Sequence, residues 1–297
     1  MAYFPVSGVS CPPWLPPLVA LAISSLTASG GVSGAVLLLP FQVSVLGYSG
    51  PGVSPTNLIY NIVAIPGGVY RYIREGRMTW PLTWTVIAGT LPGVFLGALI
   101  RVRYLPDPRR FKLFAGGVLL YLGGRLLYEF GRRRPGSREL RGVPAGEAVR
   151  VVSVSARRIE YEFLGRVYGF APAALFALAL AVGLVGGIYG IGGGAIIAPF
   201  VVAILRLPVY TVAGAALLGT FLTSVAGVGF FHLLALDPRA AAARPDWALG
   251  ALFGVGGLLG TCLGARLQRR LPERWIRLLL GLVAAGLALH YILQFFL

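Results

Sequence analysis

Residues 186 to 199 read GGIYGIGGGAIIAP, with six glycines in nine positions and then an apolar run closed by Pro199. Backbone of this kind can do two sorts of chemistry. In a soluble nucleotide-binding fold it cradles a phosphate. In a membrane protein it breaks a helix and turns unpaired amides toward an anion. The phosphate fingerprint needs a preceding strand, a following helix and, in its Walker form, a Gly-Lys-Ser/Thr ending. Here Gly194 is followed by Ala195-Ile196-Ile197, so the nucleotide chemistry is excluded.

Neutral polar side chains accompany the glycines. Ser29 and Ser33 flank a second, related break, Ala28-Ser29-Gly30-Gly31-Val32-Ser33-Gly34. Asn57 and Asn61 are four residues apart, on one face of a helix. Thr220, Thr223 and Ser224 follow Gly219. Such groups donate to oxyanion oxygens without a fixed charge that would hold a ligand too tightly. They also serve close helix packing and interhelical hydrogen bonds. Asparagine is the costlier of these to bury, which favours a site at Asn57 and Asn61.

The missing groups narrow the chemistry further. All ten acidic residues fall in loops or near the ends of apolar spans, with Glu129 nearest the membrane interior. Proton and metal-ion handles inside membranes are usually carboxylates. His232 and His290 come late in their spans; His232 is the one candidate for a proton relay. With no acid, metal cluster or nucleophile–base pair, neither an enzyme nor a cofactor or metal site is expected. Cys11 and Cys262 suggest no disulfide framework.

These residues are positioned by membrane helices. Of 297 residues, 57% are hydrophobic and 12% charged, at a mean hydropathy of +0.79. The first charged residue is Arg71. The net charge of +16 would point to nucleic acid in a soluble chain. Here the arginines lie between apolar spans and read as topology and anionic-lipid contacts, with no nucleic-acid partner. No basic region precedes the first hydrophobic segment, which is expected to be retained. Apolar length gives eight segments: 14–46, 54–70, 81–100, 111–130, 167–205, 208–236, 247–265 and 278–297. An arginine-rich connector covers 131–166. The chain thus divides into a membrane repeat at 1–130, the connector, and a second repeat at 167–297.

The repeats share a signature. GVSGAVLLLPF at 31–41 aligns with GIGGGAIIAPF at 190–200, so Gly31, Gly34, Pro40 and Phe41 fall on Gly190, Gly193, Pro199 and Phe200. The same offset places Asn61 on Thr220 and Gly68 on Gly227. If each broken segment dips in and returns, each half crosses three times and the second half is inverted. The inverted arrangement puts nineteen basic residues on one side and seven on the other. That predicts a cytoplasmic connector and external termini. The expected fold is an all-α integral membrane protein of two inverted repeats, each a glycine-broken re-entrant segment plus about three spanning helices. Corresponding breaks in two repeats mark a transporter's binding site. The candidate anion-binding residues are Ser29, Gly31, Ser33, Gly34, Asn57, Asn61, Gly190, Gly192, Gly193, Gly194, Thr220 and Thr223.

GIGGGAIIAPF, its degenerate partner GVSGAVLLLPF and the following GAALLGTFLTSVAG resemble the sulfite exporter TauE/SafE family of bacterial and archaeal membrane transporters. The likeness covers both membrane halves but not the connector. It implies passage of small sulfur-containing anions, sulfite or sulfonates such as sulfoacetate, across the inner membrane. It also implies inverted halves whose re-entrant segments meet near mid-membrane. The signature glycines are then Gly190, Gly192, Gly193 and Gly194 with Pro199, and Gly31 and Gly34 with Pro40. Ser33-Gly34-Ala35, where the second copy has three glycines, departs from exact symmetry. A passive anion channel, or a carrier of another organic anion, would use the same architecture. Stripes of small residues suit internal packing and a homodimer contact alike.

Overall fold

A computed structural model describes residues 1–30, 32–131, 149–267 and 273–297. The fold is mostly helical. After a short hairpin, β1 (Ala2–Phe4) and β2 (Val9–Cys11), come α1 (Leu15–Gly30), α2 (Ala35–Ser44), α3 (Val53–Ala64), α4 (Pro66–Arg74), α5 (Trp80–Arg103) and α6 (Pro108–Gly131). Strands β3 (Arg150–Val154), β4 (Ile159–Phe163) and β5 (Arg166–Phe170) form an antiparallel sheet in that order. Then follow α7 (Pro172–Tyr189), α8 (Ile197–Ile204), α9 (Val209–Leu234), a 3-10 turn (Pro238–Ala243), α10 (Trp247–Leu267) and α11 (Glu273–Phe296).

Among the described residues, six helical stretches are long and apolar enough to cross a membrane: Trp80–Arg103, Pro108–Gly131, Pro172–Tyr189, Val209–Leu234, Pro238–Gly264 and Arg274–Phe296. The expected interruption of 14–46 is present, whereas 54–70 is not the single segment expected from apolar length. The stretch 14–46 is divided into α1 and α2. The stretch 54–70 is divided at Ile65-Pro66, where Pro66 has no N–H to continue the ladder and instead opens α4. The second part of the connector supplies β3 and β4, and β5 takes up the start of the segment expected to span from 167, an addition to the all-α expectation. Strand alternation in IEYEF, buried at Ile159, Tyr161 and Phe163, carries the signal.

Two compact units are distinguished. One comprises Met1–Ala64, Leu99–Arg134 and Phe231–Leu297; the other comprises Ile65–Ala98 and Pro135–Phe230. The first unit is assembled by small residues. Along α10, Gly256, Gly260 and Gly264 recur every fourth position and lie against the α1 backbone at Pro17, Leu21 and Ser25. On another side of α10, Gly250 and Gly254 receive Ile59 and Val63 of α3. Gly123 of α6 meets the α11 backbone at Ala285. The second unit uses the same device: Gly89, Gly93 and Gly97 of α5 interleave with Gly183 and Gly187 of α7. Hydrophobic burial does not drive helices together in lipid, so close backbone approach and dispersion supply the adhesion.

Arg101 is a cation carried into the interior. Sequence places it in a loop, yet the last turn of α5 buries it completely, at 0% exposure. Its Nε donates to Ser54 Oγ at 3.3 Å, Nη2 donates to the carbonyls of Gly50 at 3.0 Å and Ser49 at 3.4 Å, and Nη1 donates to Leu105 O. The guanidinium plane lies 3.8 Å over the Phe111 ring. A planar fork can serve these acceptors together; a lysine ammonium cannot. The loop entering α3 is therefore held to the end of α5 by one side chain. Arg101→Gln and Arg101→Lys are both expected to lower the unfolding free energy by about 3 kcal/mol, from carbonyls left unpaired. Denaturation in detergent checks this, and a lysine variant as stable as wild type would contradict it.

Candidate functional site

In the second unit, α7 ends where Gly190 takes a left-handed conformation at φ 84°, and the Gly190 and Ile191 amides both close on Gly186 O, at 2.8 and 3.0 Å. Gly192 also has positive φ, at 77°, where L side chains are strained. The chain then turns into α8, whose first amides have no acceptors within the helix; Pro199 at its third position removes one of them. One side chain fixes the turn. Gly193 N–H donates to Thr223 Oγ1 at 3.0 Å, and that hydroxyl donates onward to Gly219 O at 2.6 Å.

The turn is packed tightly from one side. A Cβ on Gly193 would strike Thr90, and one on Gly194 would strike Ala216 O and Thr220. One on Gly192 would lie 2.9 Å from Ser224 Oγ. Thr220, Thr223, Ser224 and Thr90 are all buried. The structure therefore brings Gly190, Gly192, Gly193, Gly194, Thr220 and Thr223 together, as their spacing predicts. It also shows where the hydroxyl protons go: Thr220 Oγ1 donates to Ala216 O at 2.7 Å, so both threonines donate to α9 backbone. Thr223 also holds the turn, through Gly193 N–H.

In the first unit, Val32 N–H returns to Thr27 O at 3.0 Å, and Gly34 caps α2 in an ordinary helical conformation, φ −58°. Gly34 lies against Tyr60 Oη, which is hydrogen bonded to Ser24 Oγ at 2.7 Å. Asn57 Nδ2 donates to Ala35 O at 3.0 Å, and Gln42 Nε2 donates to Asn57 Oδ1 at 3.2 Å. This chain sets its own direction. A carbonyl accepts only, so Asn57 must present its amino group to Ala35, its oxygen to Gln42, and Gln42 its amino group to Asn57. Gln42 Oε1 is thus the end of the relay: it is buried, with no hydrogen-bond partner. Asn61 is also fully buried, one turn along α3. Ser33 is half-buried before α2. Gly31 lies outside the described residues, as does the side chain of Ser29 in the last turn of α1.

Three residues escape the sequence reading. Gln42 carries the signal used for Asn57 and Asn61, an amide inside an apolar span, and was within reach. Thr90 and Tyr60 carry none: each matters because a glycine of a distant segment packs on it. His232 is exposed in the last turn of α9.

Among the described residues, six helices long and apolar enough to cross a membrane, with a glycine-rich break followed by a short helix near the start of each half, fit a polytopic membrane protein. The chain belongs to the sulfite exporter TauE/SafE family, whose family model matches residues 17–291. No curated protein and no solved structure matches it.

The packing at the break is directly testable. Gly194→Ala should cost about 2 kcal/mol or more of stability, whereas Gly229→Ala in α9, with open space around it, should be neutral within about 0.5 kcal/mol. Thr90→Gly, which removes the Cβ that a side chain at 193 would strike, should partly rescue Gly193→Ala but not Gly194→Ala in a thermal double-mutant cycle. Equal effects at 194 and 229 would show that the turn is not packed this way.

Proposed function

We propose that the protein carries small sulfur-containing oxyanions, sulfite or sulfonates such as sulfoacetate, across the inner membrane by alternating access. The observation that carries this reading is the Gly190–Gly194 turn. It is glycine-built backbone at the mouth of α8, fixed by Thr223, with neutral hydroxyl groups around it. Amides at a helix start, with the positive end of the helix dipole, suit an anion and release it more readily than a fixed cation would. Irregular backbone at membrane depth is tolerated where protein buries it or a watery cavity reaches it. Family membership supports sulfur oxyanions as the substrates.

In this reading Thr223 is a positioning residue that holds Gly193 N–H, and the amides following Gly193 contact the anionic head. The first-unit break, with Ser29, Gly31, Ser33, Gly34, Asn57 and Asn61, is the corresponding element of the other repeat. There the amide relay from Ala35 to Gln42 orders the polar groups. The halves are taken as inverted, with the connector cytoplasmic and both termini outside, because that arrangement concentrates nineteen basic residues on one side.

Calorimetry on the purified protein tests the proposal, with sulfite, sulfoacetate, taurine, sulfate and acetate as ligands. A sulfite or sulfonate should bind in preference to acetate. Thr223→Val keeps the shape but removes the acceptor of Gly193 N–H, so affinity should fall about tenfold, the equivalent of one hydrogen bond. Thr223→Ser should bind as wild type does. Silence toward all sulfur anions from folded protein would overturn the substrate class. A Thr223→Val variant that binds normally would remove the turn from the site.

A further inference from the structure

The β3–β5 sheet has no part in the proposed transport site, yet its placement is specific. We infer that the inner face of β3 docks on the anionic headgroup layer of the bilayer. The sheet ends at Phe170 and the candidate spanning helix α7 begins at Pro172, so its last strand lies within about 7 Å of the membrane helix. Its inner face is turned toward the helix ends. Tyr161 Oη is hydrogen bonded to Thr211 Oγ1 at 2.8 Å, and Phe163 stacks on Tyr210 with ring centroids 5.0 Å apart, both partners in the first turn of spanning helix α9. Burial pushes the Tyr161 hydroxyl up to about 12, so this contact stays neutral and uncharged.

Register shows what that face carries beyond the protein. Val151 lies opposite Tyr161, and Val154 lies opposite Ile159. Residues directly opposite in an antiparallel pair share a face. Tyr161 and Ile159 are buried, but Val151 is 46% and Val154 65% exposed. Among the described residues, that face therefore continues on β3 as exposed valine. Arg166, opposite Phe163, adds an exposed cation to it. The sheet's acids are on the other face: Glu160 and Glu162 lie opposite Ser153 and Arg150.

The surroundings match a lipid surface. Arg77 stacks 3.7 Å over Tyr210 and lies three residues before Trp80, which stacks with Trp84; both tryptophans are exposed, as in an interfacial belt. Arg71 and Arg74 end α4 and Arg206 precedes α9, all exposed. Glu75 pairs with Arg71 and Arg77, and the remaining excess of arginine around apolar side chains at headgroup depth fits an anionic leaflet.

The test places a nitroxide at Val154→Cys, or at Glu162→Cys as the outer-face control, in a Cys262→Ser background that leaves buried Cys11 in place. The full chain is reconstituted in nanodiscs of phosphatidylcholine, with or without phosphatidylglycerol, and probed by oxygen and a water-soluble nickel chelate. The label at 154 should collide with oxygen and be shielded from nickel, more so with phosphatidylglycerol, while the label at 162 stays open to nickel. Nickel access at 154 equal to that at 162 would overturn the proposal. So would shielding at 154 from both probes, the mark of a second copy or another protein. Equal shielding in neutral and anionic discs would overturn the assignment to anionic headgroups.

Discussion

Hydrocarbon offers backbone amides no water, so every interruption of a membrane helix must be repaired from within the protein. That constraint organises this molecule. The long helices satisfy themselves, and the short ones are tied down wherever the ladder stops. At Gly190–Gly194 the repair uses the Gly186 carbonyl and the Thr223 hydroxyl. Near Gly34 it uses Thr27 and Asn57. Before α3 it uses Arg101, whose fork gathers the loop carbonyls. In the second unit the Thr223 hydroxyl in turn donates to Gly219 O. In the first, the relay ends in the buried acceptor of Gln42.

Glycine has two separate tasks here. At 190 and 192 it supplies positive φ and lets the chain turn. At 193 and 194, and along α5, α7 and α10, it supplies the absence of a side chain, so that backbone can approach backbone. The tasks are joined at the break. The turn can hold its shape because Thr90, Ala216 and Thr220 press on the same glycines.

Much of this was legible in the sequence, for physical reasons that can be named. Apolar length and sparse charge gave the membrane class, and the repeated Gly-x-x-Gly with Pro-Phe gave both breaks at the right places. Hydroxyls beside Gly219 were correctly drawn to the second break. Their roles were not legible, because a threonine that donates to its own helix and one that faces a ligand have the same spacing. Arg101 read as loop because charge is the usual marker of a span's end, and its burial depends on carbonyls some fifty residues away. The β-sheet was hidden by the arginines interleaved with its strands. Gln42 was a plain oversight of a visible signal, whereas Thr90 and Tyr60 become meaningful only through packing.

The central claim is carrier-mediated movement of a sulfur oxyanion. Counterflow in proteoliposomes tests it most directly: vesicles loaded with unlabelled sulfite or sulfoacetate are diluted into a trace of the labelled anion. The account predicts transient accumulation that saturates with substrate and needs the unlabelled anion inside. Flux that rises linearly with concentration, follows voltage and ignores the internal anion would contradict it and make the protein a channel.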